Sequence, residues 1–418
     1  RARLGYPGGF ALDGLDVTLG EDDAAVRLAA ATVTGNIGDT LSGEFAGGTA
    51  AVDAVPLDLA ALGGSWRYQD GALVVERGAF VLSERIDGEA RFEPLIARDA
   101  VLTLENNAIR AEADLRNPAS DAIVTNVAIR HDLAAARGRA VLNVPGVMFG
   151  DALAPEDLTY LAKGVVAEVE GTVRGEGLIE WDGEEVTSSG RFSTDGIDLA
   201  AAFGPLAGLA GEIVFTDLLA LTTAPGQVVT IDTINPGVEV LGGRVVYALT
   251  DGQVISVEDA RWPFMGGTLI MRPVVLDYGS SGEKAYVFEI VGLEADRFVA
   301  EMELSNLSAT GTFDGAVPIV FDSSGNGRIE GGLLISRPPG GNVSYIGELT
   351  YEDMGAMANF AFQALRSLDY TQMAVALEGN LAGEIITRFT FDGVRQGVHD
   401  LRQLVADLAL FAVHVQRA

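Results

Sequence analysis

Residues 165–181 read Val-Val-Ala-Glu-Val-Glu-Gly-Thr-Val-Arg-Gly-Glu-Gly-Leu-Ile-Glu-Trp, and this stretch decides the fold. Apolar or small residues at 167, 169, 171 and 173 alternate with polar residues at 168, 170, 172 and 174. Successive side chains of a strand point to opposite faces, so this period of two predicts a strand with one apolar face. We expect Gly175 and Gly177 to break this strand, and Asp182-Gly183 to form a hairpin turn.

The same pattern recurs along most of the chain, with glycine turns such as Asp251-Gly252 and Gly266-Gly267 between the strands. Further strands are predicted at 73–80, 100–106, 108–115, 228–233, 244–249, 254–258, 268–272, 286–291, 319–322, 329–336, 342–349 and 385–392. The fold class is therefore mainly β: a long antiparallel β-meander, curved into an elongated half-pipe or groove with an apolar interior.

Helices are predicted to be few. Residues 353–368 place Met354, Met357 and Leu365 at helical spacing, which predicts one longer helix. Short helical turns are expected at 56–62, 155–162 and 205–209, each of which begins with a proline. We divide the chain into a β-rich segment at 1–150, a β-groove domain at 151–397 and a tail at 398–418, whose pattern is that of an amphipathic helix.

The charge balance excludes several classes of partner. The 418 residues carry a net charge of −31, and 48% of them are hydrophobic. Such an acidic chain is repelled by phosphate backbones, so we expect no nucleic-acid partner. No run approaches the length of about 18 apolar residues that a membrane-spanning helix needs.

The residues that catalysis requires are scarce, so we predict that the chain is not an enzyme and has no catalytic residues. There is no cysteine, and His131, His399 and His414 are the three histidines. We interpret His131 as a solvated surface residue. The loop from Asp322 to Gly327 resembles the start of a calcium-binding loop, but position twelve would be Leu333 instead of a glutamate. We therefore expect a polar hairpin there, no metal site and no cofactor. The apolar tetrapeptide 262–265 is either part of a core or part of an exposed lip.

Residues 306–397 carry the motifs of a known family. They include Thr-Gly-Thr-Phe-Asp-Gly at 310–315, Gly-Arg-Ile-Glu-Gly-Gly at 327–332 and Arg-Pro-Pro-Gly-Gly-Asn at 337–342. This succession resembles the C-terminal region of YdbH-type proteins, which are similar to AsmA and TamB, and the likeness covers about residues 160–397. The motif residues are Phe313, Asp314, Gly315, Pro318, Gly331, Gly332, Pro338, Pro339, Gly340, Gly341 and Tyr345.

The resemblance implies a periplasmic protein of the Gram-negative cell envelope, anchored in the inner membrane by a segment upstream of residue 1. It implies movement of phospholipid to the outer membrane, and a small outer-membrane lipoprotein partner that binds by strand addition. Domains of this kind have also been labelled as dicarboxylate transport domains. The sequence does not support that label, since it has no membrane spans and no convergent arginine pair.

We therefore expect phospholipid acyl chains to cover the apolar face of the sheet. The predicted lining residues are Val169, Val173, Val245, Tyr247, Leu249, Leu269, Met271, Phe288, Ile290, Ile319, Phe321, Leu333, Ile335, Phe389 and Phe391. Each of them could instead belong to an ordinary core. The alternative is a structural β-solenoid or stalk of the cell envelope with a closed, dry interior. A polysaccharide-acting β-helix enzyme fits less well, because aromatic residues make up 7% of the chain and are scattered.

Overall fold

The computed structural model describes residues 2–5, 8–19, 26–52, 56–86, 90–163, 166–183, 185–201, 204–235, 239–280, 282–322, 326–346, 367–381, 383–396 and 411–412. Within these residues the chain is mainly β, which confirms the predicted fold class. Most of the strands belong to one 25-stranded sheet, and four others form a second sheet. Neighbouring strands pair antiparallel in both sheets, as β1 with β2 and β26 with β27 in the large sheet and β21 with β24 in the small one.

The strands up to residue 201 are long, apart from β1. They are β1 (Ala2–Gly5), β2 (Gly9–Leu19), β3 (Val26–Asn36), β4 (Leu41–Val52), β5 (Leu57–Gln69), β6 (Ala72–Glu84), β7 (Leu95–Glu105), β8 (Ala108–Arg116), β9 (Ile123–Asp132), β10 (Arg137–Phe149), β11 (Val166–Asp182) and β12 (Glu185–Ala201).

The strands that follow are more variable in length. They are β13 (Gly204–Asp217), β14 (Thr222–Thr223), β15 (Gln227–Ile234), β16 (Val240–Thr250), β17 (Val254–Phe264), β18 (Gly267–Met271), β19 (Val274–Asp277), β20 (Lys284–Glu294), β21 (Leu307–Ala309), β22 (Thr312–Phe321), β23 (Gly327–Ser336), β24 (Gly341–Tyr345), β25 (Leu368–Tyr370), β26 (Gln372–Asn380), β27 (Ile385–Asp392), β28 (Arg395–Gln396) and β29 (Phe411–Ala412).

Contacts divide the chain into two compact units. Unit 1 comprises Arg1–Ala200, Leu209–Gln227 and Ala248–Gln253, and unit 2 comprises Ala201–Gly208, Val228–Tyr247 and Val254–Ala418. The predicted division at residue 150 stays a prediction, and at that point the chain passes from β10 to β11 inside unit 1.

Unit 1 is a meander in which each strand from β1 to β11 pairs antiparallel with the next. Tight turns connect several of these strands, and their geometry explains the sequence. Asp70 and Gly71, between β5 and β6, have φ angles of 51° and 87°. Glycine adopts such angles without strain and aspartate tolerates them, which is why these residue types mark the hairpins.

Unit 2 continues with a different connectivity. Strand β17 pairs with β18 and β19, and the ladder then runs through β20, β22, β23, β26 and β27. The second sheet contains β21, β24, β25 and β28. The α-helix of the described residues, α1 (Ala295–Glu301), follows β20 and precedes β21.

Three local predictions are wrong. Residues 57–62 belong to β5 and residues 205–209 to β13, because pairing with neighbouring strands outweighs the weak helical signal of an initial proline. Strand β11 also runs unbroken for 17 residues through Gly175 and Gly177. These glycines make room for neighbours: a Cβ at Gly175 would lie 2.5 Å from the ring of Phe192.

The turns at 155–162 are confirmed as two 3-10 turns, Pro155–Asp157 and Tyr160–Ala162. The predicted helix at 353–368 lies outside the described residues except for its end, where Leu368 opens β25. The predicted helical tail also lies outside them, except that Phe411–Ala412 forms a short strand beside Ile386 and Thr387.

Gly315 provides a test of how closely the strands of unit 2 approach each other. A Cβ at this position would lie 2.0 Å from the carbonyl oxygen of Leu333, which is part of the backbone and cannot rotate away. We expect Gly315→Ala to lower the free energy of unfolding by about 2 kcal/mol or more, measured by urea denaturation.

Gly196→Ala is the matched control, since a Cβ there meets nothing within 4 Å. It should change the free energy of unfolding by less than about 0.5 kcal/mol. Equal effects of the two substitutions would contradict the strand pairing of β22 and β23.

Candidate functional site

One face of unit 1 carries an apolar row that crosses ten neighbouring strands, from β2 to β11. The strand register places its members directly opposite one another, so they share a face. This unit 1 apolar row consists of Phe10, Gly35, Gly43, Trp66, Val75, Leu102, Ala111, Ile129, Ala140 and Ile179.

The opposite face of the same strands is polar. On strands β3 to β11, the residues adjacent in sequence to the members of the apolar row are also aligned with one another. They are Asn36, Ser42, Arg67, Val74, Thr103, Arg110, Arg130, Arg139 and Glu180. All of them except Val74 are polar or charged. The alternation seen in the sequence therefore produces an amphipathic sheet, with its polar face toward water.

The unit 1 apolar row is only partly covered by protein. Phe10, Trp66, Val75 and Leu102 are half-buried, and full burial is reached at Ala140 and Ile179. Among the described residues, no large hydrophobic side chain is less than 2% exposed. A sheet packed against a second layer buries such side chains completely, so this face leaves apolar surface free for another apolar molecule.

Aromatic rings cover glycines along this face. Phe10 of β2 and Trp66 of β5 meet with ring centroids 6.0 Å apart, above the intervening strands that carry Gly35 and Gly43. A Cβ at Gly35 would lie 2.5 Å from the Phe10 ring and 2.8 Å from the Trp66 ring. Because these glycines have no side chain, the rings lie flat against the sheet. The apolar surface is therefore continuous from strand to strand.

Loops of unit 1 reach over one end of the strands. Arg91 pairs with the buried carboxylate of Glu84 and also donates to the carbonyl oxygen of Leu219. Its own carbonyl accepts the hydroxyl of Thr159, and Leu158 packs against the cluster of Leu95, Ala97 and Leu115. Three separate loops are thereby tied together, and they cover the apolar face at this end.

Unit 2 has an equivalent feature, which we call the unit 2 apolar row. Its members lie opposite one another on seven strands, β17, β18, β20, β22, β23, β26 and β27. The row consists of Trp262, Leu269, Ile290, Gly315, Leu334, Val375 and Phe389. Leu269 and Phe389 are half-buried, whereas Trp262, Ile290 and Leu334 are buried.

The structure distributes the predicted lining residues between the two units. Val169, Val173 and Leu249 lie in unit 1, and the other twelve lie in unit 2. Val169, Met271, Ile290 and Phe321 are buried, whereas a larger group is half-buried. This half-buried group consists of Val173, Val245, Tyr247, Leu249, Leu269, Phe288, Ile319, Phe389 and Phe391. Burial raises the pKa of the Tyr247 hydroxyl, as an apolar environment does.

Leu333 and Ile335 lie on a different face from the predicted lining residues Leu269 and Ile290. They are 43% and 40% exposed, and they lie on the face opposite the unit 2 apolar row, where Leu333 is aligned with Ala316 and Ala376. The reason is a bulge in β23 between Ile329 and Gly332, where Gly331 has a φ of 73°. A bulge shifts the alternation by one residue, so Leu334 takes the apolar face instead.

A pair of substitutions distinguishes the two faces of β23. Leu334 is buried among Ile290, Phe313 and Val375, so we expect Leu334→Ala to lower the free energy of unfolding by about 2–4 kcal/mol. Leu333→Ala should cost less than about 1 kcal/mol. Urea denaturation of both variants measures the difference, and the reverse order would mean that the bulge is misplaced.

The family-motif residues tie the second sheet of unit 2 to the large one. Arg337 donates twice to the carboxylate of Asp314, at 2.6 Å each, which holds the pKa of that carboxyl below its usual range. Tyr370 donates to the carbonyl oxygen of Thr310 at 2.7 Å, and its burial raises its pKa to about 12. Phe313 is 3% exposed in the same cluster.

The motif glycines fit around Tyr370. A Cβ at Gly340 would lie 2.0 Å from its carbonyl oxygen, and one at Gly341 would lie 2.5 Å from its hydroxyl. Tyr345 pairs with Leu307 inside the second sheet, and Pro338 and Pro339 form the turn before it. Pro318 lies in β22 at a register shift between Ala316 and Ile319. The motif therefore serves the packing of the two sheets.

The sequence predicts that His131 is a solvated surface residue, and this prediction is wrong, because the side chain is buried. It is 7% exposed and lies on the apolar face, beside Ile109 and Gly138. Its Nδ1 accepts a hydrogen bond from the Trp181 indole nitrogen at 3.0 Å. Trp181 lies over Gly138, where a Cβ would come within 2.4 Å of its ring. No feature of the sequence around His131 indicated this contact, because Trp181 is 50 residues away.

This environment predicts a pH dependence of stability. Burial lowers the pKa of His131 below the usual histidine value of about 6.5, although Asp132 acts in the opposite direction. Below pH 6.5 the unfolded chain therefore binds a proton more readily than the folded chain. The contribution of neutral His131 to the free energy of unfolding is fully present above pH 6.5. It is lost as the pH falls through the lowered pKa of His131.

We expect the wild-type free energy of unfolding to decrease between pH 7.5 and pH 5, measured by urea denaturation at each pH. Variant His131→Gln cannot titrate there and should show a smaller decrease. Identical pH profiles of the two proteins would show that His131 is not the titrating group.

Two smaller predictions have clear outcomes. In the tetrapeptide 262–265, Trp262 is 5% exposed within a core cluster, Phe264 and Met265 are half-buried, and Pro263 is exposed. Residues 323–325 of the predicted polar hairpin lie outside the described residues; β22 and β23 pair antiparallel on either side of them, and the Asp322 carboxylate accepts a hydrogen bond from the Asn326 backbone at 2.9 Å. Across the described ranges, no group of three His, Asp or Glu side chains could hold a metal ion. No helix in those ranges has the length and apolarity required to cross a bilayer.

Comparison with known proteins gives one match. The family model described as "YdbH-like: Intermembrane phospholipid transport protein YdbH" matches residues 5–410, nearly the whole chain. No curated protein and no solved structure matches the chain significantly.

Proposed function

We propose that this chain, which belongs to the YdbH-like family of intermembrane phospholipid transport, carries phospholipids with their acyl chains against the apolar rows of units 1 and 2. The family implies transport of phospholipid between membranes in general. The observation that carries the finer proposal is the half-buried apolar row of unit 1, which crosses ten strands with no polar side chain in it.

The hydrophobic effect supplies the driving force. Each methylene removed from water contributes about 0.8 kcal/mol, so two acyl chains contribute on the order of 20 kcal/mol when fully covered. Polar headgroups would remain in water at the margin of the sheet. The polar face of the strands, which includes Arg67, Thr103 and Glu180, is unsuited to acyl chains and stays hydrated.

A row that crosses strands suits movement along the sheet. Neighbouring strands are about 4.8 Å apart, and the row presents apolar surface from strand to strand. A lipid that moves by one strand exchanges one apolar contact for another, so no single position holds it strongly. This supports a bridge-like conduit more than a closed carrier with one binding pocket.

Further parts of the proposal follow from the family. We infer that the protein acts in the periplasm between the inner and outer membranes, and that an inner-membrane anchor belongs to the full-length protein. We also infer a small outer-membrane lipoprotein that binds by adding a strand to the sheet near β27. The proposal assigns no enzymatic activity to the chain.

Native mass spectrometry of the protein purified in mild detergent tests lipid binding. We expect several phospholipids per chain, and we expect Val75→Asp to reduce that number by at least half. Val75 lies in the unit 1 apolar row, and a carboxylate there is incompatible with acyl chains.

Val74→Asp is the matched control, because the neighbouring side chain lies on the polar face between Arg67 and Thr103. It should retain the bound lipid. Leu269→Asp and Ile270→Asp form the same pair in unit 2, since Leu269 lies in the apolar row and Ile270 lies opposite Glu289. Circular dichroism confirms that each variant is folded. A folded wild-type chain without lipid would favour the structural stalk.

A further inference from the structure

Three arginines stand directly opposite one another on the polar face of unit 1. Arg110 of β8 is aligned with Arg130 of β9, which is aligned with Arg139 of β10. All three are exposed. We call this set the arginine ladder. Neighbouring strands are about 4.8 Å apart, so the ladder spans about 10 Å.

The ladder is unfavourable for the protein alone. Like charges directly opposite in a sheet repel each other, and the repulsion is repeated on both sides of Arg130. No member of the ladder forms an ion pair or a side-chain hydrogen bond within the described ranges. Arg116, farther along β8, pairs with both Asp114 and Asp121.

A shortage of carboxylates does not explain this arrangement, since the chain has 59 acidic residues and 28 Lys and Arg residues. Five acidic residues lie close by: Glu180 opposite Arg139, Asp132 two residues beyond Arg130, Glu112 two residues beyond Arg110, and Asp182 and Glu185 on the same depression of the surface. The Asp132 carboxylate accepts hydrogen bonds from the backbone of Ala134 and Ala135, which directs it to the turn. The guanidinium groups are left available to a ligand.

We propose that the arginine ladder binds phosphate groups. The planar guanidinium matches phosphate oxygens in a two-point contact, and a phosphate bridging two neighbouring arginines removes their repulsion. Two phosphates in one ligand would engage all three side chains. The ladder lies on the face opposite the apolar row, so this inference stands independently of lipid binding there.

Calorimetric titration with pyrophosphate at low ionic strength tests the proposal. We expect saturable binding to the wild-type chain that weakens as salt is added. Arg130→Gln removes the central member and should weaken binding about tenfold or more. Arg244→Gln makes the same charge change at an exposed residue of unit 2 and should bind as the wild type does.

Flotation with vesicles identifies the source of the phosphate. Binding to phosphatidylglycerol vesicles but not to phosphatidylcholine vesicles, lost in Arg130→Gln, would assign the ladder to anionic lipid headgroups. Pyrophosphate binding without flotation would assign it to soluble phosphate compounds. Absence of pyrophosphate binding, or equal affinity in Arg130→Gln and Arg244→Gln, would overturn the proposal.

Thermal unfolding tests whether Arg130→Gln loses phosphate binding only because the variant is less stable. Because Arg130→Gln removes repulsion from the ladder, its melting temperature should equal or exceed that of the wild type. Pyrophosphate should raise the melting temperature of the wild type and of Arg244→Gln, but not that of Arg130→Gln. A phosphate-induced shift of the same size in all three would count against the ladder as the site.

Discussion

An antiparallel sheet with one apolar face has to cover that face, and this requirement governs the rest of the structure. Most folds meet it with a second sheet or a layer of helices. In the described residues, short segments cover part of the apolar face. These segments are the loops joined by Arg91 in unit 1 and the small sheet around Tyr370 in unit 2. Between Phe10 and Leu102 the side chains stay half-buried. The exposed apolar surface has a free-energy cost in water that a lipid would offset.

Glycine has a second role beyond the turns. Each of the three tryptophans lies over a glycine of another strand: Trp66 over Gly35, Trp181 over Gly138 and Trp262 over Gly243. A side chain at any of these glycines would force the ring to stand away from the sheet. At these three positions glycine, which is normally unfavourable in a strand, makes room for a large ring of another strand.

Alternation in the sequence was sufficient to predict the fold class and strands such as β8, β16 and β23, because a period of two has one simple structural solution. Strands β2 to β5, β9 and β10 were not predicted from it. Alternation was insufficient at a bulge, where an extra residue shifts the alternation to the opposite face. The bulge at Gly331 moved Leu333 and Ile335 to the opposite face, and a single glycine in a strand does not reveal whether it causes a bulge or makes room for a neighbour. Gly175 and Gly177 illustrate the second case, since β11 continues through both. His131 was misjudged because its burial depends on Trp181, a contact that no local pattern encodes.

The two faces of unit 1 place different demands on a ligand. The apolar row offers apolar surface across ten strands, which would favour binding of an acyl chain without a fixed position. The arginine ladder offers charge at one place, across β8 to β10, and directional hydrogen bonds from its guanidinium groups to a phosphate would favour a fixed position. A sheet can combine both because neighbouring residues of a strand never share a face. Movement of a lipid along the apolar face would therefore not interfere with phosphate binding at the arginine ladder. This holds even though Ile109 of the apolar face and Arg110 of the ladder are adjacent in the chain.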